Sequence, residues 1–142
     1  PHAREALEYL ASAYNLYILS NGFREFARAE DGSAGVEGYF KKIVLSEDIG
    51  VHKPFPEIFY FAMSGYAVRA HTSLMIGDNW KNDVEGAKNV GMGNVYYNIK
   101  GERGLPFKPG FDMRIGGKSL LSYKIEWKML MDKSVGTNNV FA

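Results

Sequence analysis

With 142 residues, 46% of them hydrophobic and 23% charged, the chain suits about one globular domain, and its composition excludes a disordered polypeptide. A net charge of +1 without a basic stripe gives no reason to expect a nucleic-acid partner, and no apolar stretch approaches the roughly 18 residues needed to cross a bilayer, so no membrane partner is expected. The absence of cysteine excludes a disulfide framework and thiolate chemistry; with no signal-peptide pattern, a cytoplasmic location is expected.

The chain alternates helix and strand. His2 to Tyr14 places Ala3, Leu7, Leu10 and Tyr14 on one helical face. Leu16-Tyr-Ile-Leu-Ser20 then follows with almost no polar interruption, the run expected of a strand covered on both faces. A helical stretch is expected after Phe23, then a flexible Asp31-Gly-Ser-Ala-Gly35 segment and a strand over Lys42-Ile-Val-Leu-Ser46. Pro54 to about Met63 reads as a helix with proline near its start, where the missing N–H does no harm. Phe55, Phe59, Tyr60 and Phe61 are too many aromatic neighbours to share one face of it, which suggests that more than one side is covered. Ser73 to Gly77 reads as a strand, Asp83 to Val90 as a helix ended by Gly91, and Asn94-Val-Tyr-Tyr-Asn98 as a further strand. Asp112 to Ile115 suggests a last short strand, Lys118 to Lys133 a helix, and residues 134–142 a tail. Strands separated by helices imply a single α/β domain with a parallel, doubly wound sheet, and no repeat or interdomain linker interrupts it.

The most informative stretch is Leu74-Met-Ile-Gly-Asp-Asn-Trp-Lys-Asn-Asp83. Its apolar run turns at Gly77 and presents Asp78 at the C-terminal end of a buried strand, where open α/β sheets bind ligands. A carboxylate there is a candidate ligand for a hard cation such as Mg2+, with phosphate among the remaining partners. The alternative is that Asp78 and Asn79 only turn the chain while Asn82, with Glu85 three residues on, caps the next helix. Two further polar stops fall at the same edge: Ser20-Asn21-Gly22, and Lys53-Pro54. Each has a dull explanation, a turn for the first and a solvated loop charge for the second. Together, a hydroxyl, an amide, an ammonium and a metal-binding carboxylate are the parts needed to hold and neutralise a phosphoryl group.

Leu19-Ser20-Asn21-Gly22, Lys53-Pro54 and Gly77-Asp78-Asn79-Trp80-Lys81-Asn82-Asp83 resemble, in order and approximate separation, the second, third and fourth motifs of haloacid dehalogenase-like hydrolases. Glu47-Asp-Ile-Gly-Val-His-Lys-Pro54 also resembles the branch of small nucleotidases and related phosphatases. The resemblance covers most of residues 1–100 and implies a Rossmann-like parallel sheet with flanking helices. It further implies Mg2+-dependent hydrolysis of a small phosphorylated metabolite through an aspartyl-phosphate. In that scheme Ser20, Asn21 and Gly22 hold the phosphoryl oxygens, and Lys53 neutralises nucleophile and phosphoryl charge. Asp78 ligates Mg2+ while Asp83 supports the metal site or its waters. The Gly-Asp pattern of the fourth motif disfavours dehalogenation.

The departure from the family lies at the beginning. The first motif, an Asp-x-Asp segment carrying nucleophile and general acid/base, is expected upstream of Pro1, and the substrate-selecting cap between the first and second motifs is missing too. The chain is therefore read as an incomplete core: a fragment, a processed piece, or a product that has lost its front half. In the family's sheet order the first strand lies between those ending at Ser20 and at Gly77. Its loss is expected to leave two unpaired edges at the centre, to be filled by an N-terminal segment in trans or by another copy of the chain. Two other readings stand beside the hydrolase: a noncatalytic remnant serving as a binding or assembly module, and a receiver-like Mg2+-binding regulator. Scattered His2, His52 and His71 supply no metal-ligand spacing, and Gly91-Met-Gly93 follows a helix, the reverse of a dinucleotide loop's context.

Overall fold

The computed structural model describes residues 3–22, 37–64, 68–98, 100–114 and 137–142. In chain order the elements are α1 (Ala3–Ala11), β1 (Asn15–Ser20), β2 (Phe40–Leu45), α2 (Ser46–Ile49), α3 (Pro56–Met63), β3 (Ser73–Gly77), a π-helical turn (Trp80–Glu85), α4 (Gly86–Asn89), β4 (Gly93–Asn98), β5 (Phe111–Arg114) and β6 (Asn139–Phe141). The expected helices after Phe23 and over Lys118–Lys133, and the segment Asp31–Gly35, lie outside the described residues.

All strand pairings are parallel, in the order β2-β1-β6-β3-β4-β5. The side chains of the central strands alternate between two cores. Leu16, Leu74, Val95 and Val140 pack on one face with Leu10 of α1, whose Leu7 and the following Tyr14 lie against the same cluster. Tyr17, Leu19, Met75 and Phe141 pack on the other face with Ile58, Phe59 and Ala62 of α3 and Ala87 of α4. Both faces are therefore covered, which explains the nearly unbroken apolar runs of β1 and β3.

The centre of the sheet corrects the expectation of two unpaired edges. The chain's own residues 139–141 occupy the slot between β1 and β3, with Val140 opposite Leu16 and Leu74, and Phe141 opposite Tyr17 and Met75. The ladder extends beyond the strand at both ends. The Asn15 N–H donates to Asn138 C=O at 2.9 Å, the Ala142 N–H to Tyr17 C=O at 2.9 Å, and the Leu19 N–H to Ala142 C=O at 2.8 Å. Phe141 is fully buried and stacks on Tyr17 with centroids 4.5 Å apart. Burying Val140 and Phe141 contributes roughly 1.5–3 kcal/mol each, and pairing their backbone groups avoids leaving buried donors and acceptors unsatisfied.

The aromatic cluster of α3 is also corrected. Ile58, Phe59 and Ala62 are fully buried, whereas Phe55, Tyr60 and Phe61 are 53%, 57% and 45% exposed, so the helix is covered on one side only. Phe61 carries the Lys42 ammonium 4.5 Å above its ring. Phe59→Ala should lower unfolding free energy by about 3–5 kcal/mol, while Tyr60→Ala should change it by no more than about 0.5 kcal/mol. Urea unfolding followed by far-ultraviolet circular dichroism measures both.

Candidate active site

The carboxyl ends of β1 and β3 and the loop after α2 enclose a hollow of about 450 Å³ lined by Ser20, Lys53, Gly77, Asp78, Asp83 and Ala142, among others. The structure thus brings together four of the six residues singled out from sequence, and the other two, Asn21 and Gly22, follow Ser20 directly. The Gly22 N–H donates to Ser20 Oγ at 2.9 Å, closing the turn after β1. Asn21 fastens that turn to the neighbouring loop. Its Oδ1 accepts from the Lys53 N–H at 2.8 Å while its Nδ2 donates to Lys53 C=O at 3.1 Å. Asn21 is therefore a positioning residue for Lys53 rather than a ligand-facing amide. The Lys53-Pro54 peptide is cis.

Lys53 and Asp83 form a buried ion pair, Nζ to Oδ1 at 2.5 Å, with side chains only 10% and 6% exposed. Asp83 reaches this position because the chain after β3 winds into the π-helical turn. The turn starts at Asn79, whose side chain accepts from the Asn82 N–H at 2.8 Å, while Asp83 Oδ2 accepts from the Asn79 N–H at 3.1 Å. The exchange is reciprocal, as in a capping box. Asn79 rather than Asn82 is the cap, and the helical winding begins at Trp80, three residues before the expected start at Asp83. Asp83, expected to serve the metal or its waters, has one oxygen on Lys53 and the other on a backbone N–H. Asp78 is the exposed carboxylate of the pair.

Gly77 is required by Asp83. A Cβ at position 77 would lie 2.1 Å from Asp83 Oδ2 and 2.4 Å from its Cβ, so only glycine lets this carboxylate fold back over the strand end. Trp80 is half-buried, edge-on to Tyr96 at 5.2 Å and tilted against Phe107 at 4.7 Å, and its Nε1 donates to Glu85 at 3.2 Å. A second hollow, of about 320 Å³, adjoins Asp78 and is lined by Trp80, Lys81, Tyr97 and Lys100. A third, of about 480 Å³, lies around Tyr14, Asn15 and Thr72, where strands begin, away from the edge at which open α/β sheets bind ligands.

Sequence reasoning missed three contributors: Asn79 as the cap, Tyr97 on the wall, and Ala142 on the floor. The strand expected over residues 94–98 placed Tyr97 near the carboxyl edge, but nothing in it singled that side chain out. Nothing in the polar Gly136-Thr-Asn-Asn139 stretch signalled a central strand.

The sequence profile of haloacid dehalogenase-like hydrolases matches residues 1–91. A glyceraldehyde 3-phosphate phosphatase of Pyrococcus abyssi is 35% identical over 103 residues, covering 68% of this chain and 41% of its own length. A pyrimidine 5'-nucleotidase of Escherichia coli is 31% identical over 100 residues, covering 69% of this chain and 44% of its own. Among solved structures, a phosphatase of Thermococcus onnurineus superposes with a TM-score of 0.74 at 28% identity, covering 91% of this chain and 57% of that one. A 2-haloacid dehalogenase of Pseudomonas syringae superposes with the same TM-score at 26% identity. The chain spans less than half the length of the two curated relatives.

Gly77→Ala should drive Asp83 out of its place and lower stability by about 1–3 kcal/mol, the range for overpacking a filled site. Unfolding midpoints of the two proteins in urea measure the loss.

Proposed function

Because this chain belongs to the haloacid dehalogenase-like hydrolases, we propose that it forms the phosphoryl-binding part of a Mg2+-dependent phosphomonoester hydrolase, nucleotidase-like in branch. The observation that carries this reading is the gathering of Ser20, Lys53 and Asp78 around one hollow at the carboxyl edge of the sheet. The Ser20 hydroxyl, which accepts from the Gly22 N–H, has its own proton to donate to a phosphoryl oxygen. The Lys53 ammonium, held by Asn21 and Asp83, adds fixed positive charge that costs no reorganisation when negative charge develops nearby.

The donor set suits Mg2+ in part. Asp78 offers a hard carboxylate oxygen beside the phosphoryl position, and Mg2+ commonly takes one or two carboxylates and fills its other positions with water and phosphate. Asp83 already satisfies Lys53 and the Asn79 N–H, so it suits an outer position that orients water. Among the described residues no three acidic or histidine side chains cluster tightly enough to hold a metal by themselves. When bound, the ion would neutralise phosphoryl oxygens. The nucleophile of the scheme is an aspartate outside this chain, attacking phosphorus to form an aspartyl-phosphate and release the alcohol, which takes up a proton. Relatives named for glyceraldehyde 3-phosphate and for pyrimidine nucleotides differ in leaving group. The substrate class is accordingly given as a small phosphorylated metabolite. The likeness to a dehalogenase structure shows that backbone alone does not choose the chemistry; the Asp78 position favours phosphate.

One observation favours the second reading, a noncatalytic binding or assembly module: the central slot is filled by a strand that places Ala142, and no carboxylate side chain, at the floor of the hollow. Turnover of p-nitrophenyl phosphate separates the two. The 142-residue chain should show none above background, and added N-terminal segment carrying Asp-x-Asp should restore it with Mg2+. Restoration that fails in every preparation while the segment binds would favour the module. Asp78→Asn should weaken Mg2+ binding about tenfold or more in isothermal titration, whereas Asp48→Asn, exposed on α2, should leave it unchanged. Equal binding by both variants would remove Asp78 from the metal site.

A further inference from the structure

We propose that the hollow beside Asp78, walled by Trp80, Tyr97 and Lys100, is the subsite for the alcohol half of the substrate and takes a planar polar ring. The inference rests on the phosphohydrolase reading above and adds to it the class of leaving group.

The two hollows are neighbours, with Asp78 and Tyr97 lining both. A phosphate ester whose phosphoryl group lies among Ser20, Lys53 and Asp78 therefore has an adjoining space for the group beyond its ester oxygen. At about 320 Å³ that space lies at the small end of ligand sites, which suits a single ring rather than a long chain.

The walls of this space are fixed by the fold. Trp80 is held by three contacts: edge-on to Tyr96 at 5.2 Å, tilted against Phe107 at 4.7 Å, and donating from Nε1 to Glu85 at 3.2 Å. Phe107 is backed in turn by the Lys88 ammonium, 3.7 Å from its ring centroid. The opposite wall is the turn after β4. Asn98, only 1% exposed, clamps both backbone polar groups of Glu102, accepting from its N–H at 2.8 Å and donating to its C=O at 3.0 Å. Gly101, with φ of 64°, lets the chain make that turn, and the Tyr96 hydroxyl donates to the Glu102 carboxylate at 2.7 Å. Lys100 is carried on the clamped turn, which sets where its ammonium can reach. Walls held in this way bind a flat ring with little ordering cost.

The charges choose the kind of ring. Asp78 and Glu102 offset Lys81 and Lys100, so the lining is neutral overall and gives a second phosphate or carboxylate no preference. It offers instead aromatic surface from Trp80 and Tyr97, ammonium donors and a carboxylate acceptor. That set matches a ring that stacks and carries both carbonyl and N–H groups on its edge, as a nucleobase does, better than it matches an open-chain alcohol.

The test is nuclear magnetic resonance of the isotope-labelled 142-residue chain, with Mg2+ present and three probes: uridine 5'-monophosphate, uridine and ribose 5-phosphate. The indole N–H signal of Trp80 is identified by its loss in Trp80→Phe, the chain's other indole being that of Trp127. That signal should move saturably with uridine 5'-monophosphate and with uridine, and stay in place with ribose 5-phosphate. Uridine 5'-monophosphate should bind about tenfold tighter than ribose 5-phosphate, within the range for stacking one base on an aromatic side chain. Lys100→Met, at an exposed position, should narrow that ratio about threefold, the effect of losing one hydrogen bond. A Trp80 signal that uridine 5'-monophosphate leaves unmoved, or equal affinities for the two phosphates, overturns the inference and leaves the phosphoryl-binding reading standing as long as ribose 5-phosphate binds. Equal affinities for uridine and uridine 5'-monophosphate, with the Trp80 signal moving, uphold the subsite and sink the phosphoryl-binding reading instead.

Discussion

The buried ion pair between Lys53 and Asp83 is the interaction on which the site depends. Two opposite charges removed from water are unfavourable unless each finds a partner at close range and the remaining polar atoms are satisfied. Here the surroundings meet that demand from three directions. Asn21 clamps both backbone polar groups of Lys53, the Asn79 N–H takes the second oxygen of Asp83, and Gly77 leaves the space that the carboxylate occupies. The pair thereby ties the turn after β1, the loop after α2 and the winding after β3 into one rigid edge. Asp78, next to Gly77, is left exposed on that edge.

The order of the sheet explains why this edge can act as a binding site. Parallel strands covered on both faces bring their carboxyl ends to a common rim, and their connecting loops are the first polar groups that a ligand meets. The curated relatives are named for different compounds, and one structural neighbour is a dehalogenase. What this chain brings to the rim is a carboxylate directly after Gly77, a serine at the end of β1, and a lysine already neutralised in part by Asp83.

Much of this was legible in the sequence because the signals were long or chemically unusual. β3 begins and ends at the expected residues, since an apolar run bounded by Gly-Asp leaves few alternatives, and β1 differs from its expected start by one residue. Ser20 and Asp78 are recognisable as polar stops after apolar runs, and Lys53 and Asp83 through their places in the family's motifs. Other features depend on tertiary context. A three-residue strand, Asn139–Phe141, is too short for periodicity to register, and it is held by neighbours more than 60 positions away. The aromatic side chains around Phe59 suggested a helix covered on two sides, but the structure exposes Phe55, Tyr60 and Phe61. Whether Asn79 or Asn82 caps the turn depends on the backbone angle at which the chain leaves β3, which composition does not encode. The same holds for Asp83, whose ion pair with Lys53 spans 30 residues and appears only when the loops meet.

The direct test of the ion pair's organising role is a double-mutant cycle on Lys53→Met and Asp83→Asn, with unfolding free energies measured in urea. Each single variant leaves one buried charge without its partner and should cost about 3–5 kcal/mol. The double variant should be less destabilised than the sum of the two by at least about 1 kcal/mol, within the range for contacting groups. Additive losses would contradict the account, because they would mean that the two side chains stabilise the fold independently and that the rim is held together by something else.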